Sequence, residues 1–140
     1  MTDSTTRSAP AATARGGASR AYHYALGVFL VCGAVQIFLA GLGVFGGGGP
    51  GIDPHRFFAL VLAGLAVVIA VLAAVARAGT RAIALSVLIF LLVFLVQGFL
   101  AAWGQEESAW FGGLHALDGL IIIGLAGFLF GTSSDAVRGR

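Results

Sequence analysis

The chain has 140 residues, of which 59 % are hydrophobic and 10 % charged, with eight arginines, no lysine and a formal net charge of +2. A soluble domain of this length could not bury that much apolar surface. The composition is that of a multi-pass membrane protein, with no room for a second domain.

The first twenty residues, MTDSTTRSAPAATARGGASR, are small, polar and of low complexity. They read as part of a disordered cytoplasmic tail over 1–21. A secretory signal would need a shorter apolar run followed by a small-residue cleavage site. The first apolar segment is longer and lacks an A-x-A step, so it is read as a retained anchor. Four apolar stretches follow, near Tyr24 to Phe45, Pro54 to Ala76, Ala82 to Trp103 and Gly113 to Phe130. At 1.5 Å per residue each suffices to cross a hydrocarbon core of about 30 Å. The expected fold is all-α: a four-transmembrane-helix bundle over 22–132, with a second cytoplasmic tail over 133–140.

Arginine placement orients the bundle. Arg7, Arg15 and Arg20 precede span one, Arg77 and Arg81 lie between spans two and three, and Arg138 and Arg140 follow span four, leaving Arg56 alone on the other side. By the positive-inside rule both termini are cytoplasmic in a plasma membrane, and the outer face carries GGGGPGID, QEES and the interfacial Trp103 and Trp110. The positive charge is thus a topology signal, with no nucleic-acid partner implied. Within the outer loop, Asp53 reads as an N-cap and Pro54 as the first helical residue. Cys32, the single cysteine, reads as a small buried hydrophobe. His23, between Tyr22 and Tyr24, reads as an interfacial residue. No Walker loop, HExxH motif or Cys/His cluster is present.

An internal repeat organises the rest. VQIFLAGLG (Val35 to Gly43) and VQGFLAAWG (Val96 to Gly104) match at six of nine positions with an offset of 61. HRFFALVLAGLA (His55 to Ala66) and HALDGLIIIGLA (His115 to Ala126) align with an offset of 60. One residue of loop length is expected to account for the difference. Two copies of a helical hairpin must run parallel, related by a pseudo-twofold axis along the membrane normal. His55 and His115 then share one depth near the outer face.

Ionisable residues inside a membrane normally face the bundle interior and have a partner. Asp118, one turn after His115, would lean back toward it. A purely structural pairing of those two leaves His55 unexplained. Two imidazoles converging from facing helices are what a six-coordinate haem b requires, with the macrocycle filling the apolar space between helices. His55 and His115 are therefore the candidate metal ligands. Arg56 is a candidate for holding a propionate, and Asp118 for accepting the other ring N–H of His115. Gln36 and Gln97, at equivalent positions, are candidates either for contacting the cofactor or for bonding between helices. Ala40, Gly43, Ala101 and Gly104 would let helices approach closely or make room for the ring.

The HR step at His55 and Arg56, with a second histidine 60 residues on at the head of the fourth helix, resembles one four-helix half of haem A synthase. In that family two such halves are fused, each with a histidine pair on its second and fourth helices. The resemblance implies haem ligation by His55 and His115. A dimer would be needed to rebuild the full arrangement, which makes a homo-oligomer one expected form. The family's glutamate just before HR is replaced here by Asp53 two residues ahead of His55, and its loop cysteine pair is absent. The chain as a whole resembles small actinobacterial four-helix membrane proteins of unknown function.

The leading expectation is a haem b protein in the lipid bilayer that relays electrons or handles haem or quinone, with a quinone or redox protein as partner and no enzyme activity of its own assured. The alternatives are a non-catalytic subunit or accessory protein of a larger complex, and a proton-coupled carrier using His115 and Asp118 as a relay.

Overall fold

The computed structural model describes residues 9–46, 53–106 and 108–138. These form α1 (Ala9–Phe45), α2 (Asp53–Val75), α3 (Thr80–Leu91), a five-residue π segment (Leu92–Val96), α4 (Gln97–Glu106) and α5 (Ala109–Val137). The π segment continues α3 into α4 without a break, so the helices make four spans: Ala14–Phe45, Asp53–Val75, Thr80–Gly104 and Ala109–Ser134, each long and apolar enough to cross a membrane.

Helix extends beyond the expected ends. The tail read over 1–21 is helical from Ala9, because the same residues that look low in complexity include five alanines, the best helix formers, with Pro10 in the first turn where its missing N–H costs nothing. Residues 1–8 lie outside the described residues. The tail read over 133–140 is helical through Val137. There Thr132, Ser133 and Ser134 return their hydroxyls to carbonyls of the preceding turn, to Phe128 and Leu129, to Phe130, and to Phe130 respectively. Asp53 sits in the first turn of α2 rather than before it, which still sets a carboxylate at the positive end of the helix dipole. Ser108 caps α5 by accepting from the Trp110 N–H at 3.3 Å.

The spans form a ring. The first lies against the second and fourth, and the third also lies against the second and fourth. Spans one and three are therefore diagonal, as are two and four. The parallel repeat is visible in which residues are buried. Leu62 and Ile122, Ala66 and Ala126, Ile69 and Leu129, and Ala73 and Ser133 are buried pairs separated by 60 positions on spans two and four. On the first halves of spans one and three, Leu26 and Ser86, and Phe29 and Ile89, are buried pairs with the same offset. Partly buried Cys32 packs against this core.

The extra residue that separates the offsets 60 and 61 is not in a loop, as the sequence reading has it. The offset is 60 below the π segment and 61 above it, where Gln97 answers to Gln36. The Gln97 N–H bonds the Leu92 carbonyl, five residues back. One residue has been inserted into the third span, and the helix widens by one residue to take it.

Two glycines on α1 and one on α4 set the helix spacing. A Cβ at Gly27 would stand 3.1 Å from the Phe130 ring, and one at Gly33 3.3 Å from Ile123. A Cβ at Gly104 would stand 3.0 Å from the backbone N of Gly112. Toward the end of the bundle where α1 begins and α5 ends, the Tyr22 and Ser86 hydroxyls meet at 3.0 Å across the diagonal, both residues buried. His23 stacks on Phe130 at 4.4 Å between ring centroids and its Nδ1 lies 2.8 Å from Ser133 Oγ. Ser133 gives its one proton to the Phe130 carbonyl, so His23 Nδ1 is the donor. His23 thus ties α1 to α5, a role its boundary position did not reveal.

Because backbone faces backbone at Gly104, Gly104→Val must push α4 and α5 apart and lower stability by about 1–3 kcal/mol. Gly64, with nothing within 4 Å of its would-be Cβ, accepts alanine with no loss, or a gain of up to about 1 kcal/mol. Reversible unfolding in mixed micelles measures both.

Candidate functional site

The half of the bundle away from the start of α1 and the end of α5 is built around two histidines and two glutamines. Gln36 on α1 faces His55 on α2. The Gln36 amide donates to the His55 carbonyl at 3.0 Å, and His55 Nδ1 donates to the Gln36 carbonyl at 3.1 Å. Gln97 on α4 faces His115 on α5 in the same way. Its amide donates to the His115 carbonyl at 2.8 Å, and His115 Nδ1 donates to the Gln97 carbonyl at 3.2 Å. Each glutamine and histidine therefore exchange side chain for backbone in both directions, one pair per hairpin. Those carbonyls already serve their own helices and use a second lone pair here.

The exchange fixes the chemistry of both rings. A carbonyl only accepts, so Nδ1 carries the proton in each imidazole and Nε2 holds the lone pair. The two rings come together across the diagonal between spans two and four, 6.1 Å between centroids with planes at 67°. His55 Nε2 also lies 3.5 Å from the Gln36 amide nitrogen, a long contact.

Of the residues the sequence singles out, the structure thus brings Gln36, His55, Gln97 and His115 into one cluster. Arg56 follows His55 on α2 and is exposed. Asp118 is buried at 7 % exposure. It does not accept from His115 Nδ1, which is taken by the Gln97 carbonyl. The corresponding position in the first hairpin is Phe58. Two buried acceptors in this half have no hydrogen-bond partner, Gln36 Oε1 and Asp118 Oδ2.

The donor set discriminates between metals. Among the described residues no three His, Cys, Asp or Glu side chains gather as a bare ion would need. Two imidazoles are too few to hold such an ion but complete an iron already held by a macrocycle. An Nδ1–H bound to a backbone carbonyl is also the usual second contact of a metal-ligating histidine. The residues present fit a bis-histidine haem.

The sequence reading missed the reciprocal form of the Gln and His bonds, because nothing in one-letter code says that a side chain will bond a backbone on the next helix. The signal available was their joint repetition, VQ in one span of each hairpin and H at the head of the next.

Residues 36–103 match the model of a family of unknown function (DUF6220). The match takes in Gln36, His55, Arg56 and Gln97, and ends before His115 and Asp118. No curated protein and no solved structure matches the chain.

Because one oxygen of Asp118 has no donor, the carboxylate sits in the bundle at a cost to stability. Asp118→Asn is expected to unfold at higher denaturant than the parent protein, by about 1 kcal/mol or more. A micelle unfolding titration is the check.

Proposed function

We propose that the chain is a haem b-binding membrane protein in which His55 and His115 would hold the haem iron near the outer face. The observation that carries this reading is the pair of imidazoles facing each other from diagonal spans, each with its proton fixed on Nδ1 and with Nε2 as the nitrogen a metal would take, at His55 in place of a long 3.5 Å contact from the Gln36 amide. The resemblance of the HR step and the histidine spacing to one half of haem A synthase supports it. The bound haem would supply one-electron chemistry.

The chain's own residues have distinct tasks. Gln36 and Gln97 hold the imidazoles in one tautomer and one orientation, which lowers the cost of presenting both at once. Arg56, exposed beside His55, is placed to pair with a propionate through its guanidinium fork. The arginines at the inner loop and termini set both termini in the cytoplasm of a plasma membrane, so the site lies toward the outer surface. A quinone in the bilayer or a redox protein at that surface is the exchange partner, and a homodimer would present two such sites.

Visible spectra of the detergent-purified protein, oxidised and dithionite-reduced, test the reading. Expression with haem supply should give sharp low-spin Soret and α bands, lost in both His55→Ala and His115→Ala and weakened in Arg56→Ala. A colourless protein whose histidine variants fold normally overturns the reading and leaves a membrane subunit held together by polar ties.

A further inference from the structure

We propose that the π segment Leu92–Val96 is the device that presents Gln97 to His115, making Gln97 a positioning residue of the second half-site. The purpose assigned to that positioning rests on the haem reading; the geometry does not. Three observations converge on it.

First, the pattern of burial keeps the offset 60 up to the segment, where Leu26 answers to Ser86 and Phe29 to Ile89. Second, the hydrogen-bonded pairs above it require the offset 61, since Gln97 does toward His115 what Gln36 does toward His55. Third, the only departure from α geometry described within the spans lies between the two, ending at the residue before Gln97. In an unbroken α-helix each residue advances about 100° around the axis. A straight third span with the inserted residue would carry Gln97 to the place that Ile37 occupies on span one, and Ile37 is exposed at 54 %. Val96 would then stand opposite His115. A glutamine turned to lipid would leave its amide without a partner in hydrocarbon and take that amide away from the His115 carbonyl, since valine supplies a backbone carbonyl but no amide side chain. The π turn takes up the inserted residue just below the site and returns the glutamine to its histidine. Single-turn π-bulges recur at functional sites for this kind of reason.

The inference makes a counterintuitive demand. Deleting Val96 removes the inserted residue, so the third span should close into regular α-helix with the Gln97 and His115 exchange intact. Deleting Val35 from span one, which has no π turn to surrender, should rotate Gln36 by about 100° and free His55. Nitrogen-15 NMR of the imidazoles in full-length, haem-free protein reads this directly, because protonated and unprotonated ring nitrogens have well-separated shifts. The expected result is His115 still wholly in the Nδ1–H form in the Val96 deletion, and His55 in mixed tautomers in the Val35 deletion. Gln97→Leu, which keeps the register but removes the amide, should loosen His115 only. Failure of the Val96 deletion to fold, or mixed His115 tautomers in it, overturns the inference. These spectra need no cofactor, so a protein that proves colourless sinks the haem reading without deciding this one. If haem bands are present, the Val96 deletion should retain them and the Val35 deletion should lose them.

Discussion

A polar side chain in hydrocarbon has no water to return to, and the histidine-bearing half of this bundle is arranged around that constraint. Two histidines and two glutamines meet it by trading bonds with one another's backbones, Gln36 with His55 and Gln97 with His115. The trade ties the two spans of each hairpin together. It also leaves each imidazole with one nitrogen spent and one in reserve, which is how a structural tie and a ligand can be the same residue.

The half of the bundle where α1 begins and α5 ends works along the other diagonal. There Tyr22 meets Ser86 between spans one and three, while the imidazoles of the other half meet between spans two and four. His23 closes the ring by donating to Ser133. Gly27 and Gly33 make room for the Phe130 and Ile123 side chains, and Gly104 lets α4 approach the backbone of α5. Apolar residues on the remaining faces are left to lipid, as Val31 and Phe38 on α1 and Leu60 on α2 are.

Much of this was legible in the sequence because hydrocarbon imposes strong rules. Spans two and three emerge near their expected ends, and the parallel repeat read from VQ, H and GLA is the repeat seen in the buried pairs. The start of α1 and the end of α5 were harder, since short polar segments of alanine, serine and threonine satisfy the rules for tail and for helix alike. Asp118 was expected on His115 because helical spacing places them on one face, yet a backbone carbonyl from the next helix took the nitrogen first. The π turn was visible only as a discrepancy of one between two offsets. A loop and a widened helix absorb that discrepancy equally well on paper, and packing decided between them.

Close to the imidazoles the two hairpins differ at the position one turn after the histidine, which is Asp118 in one and Phe58 in the other. Two separate, identical hairpins meeting on a true twofold would have to carry the acid twice or not at all. Carried twice, neighbouring carboxylates in a medium of low dielectric would resist simultaneous ionisation; omitted, the cluster would hold no acid. Joining the hairpins in one chain removes that choice. It allows a single acid on one side of a pair of imidazoles that the repeat sets alike, and so makes the two sides of the pair unequal.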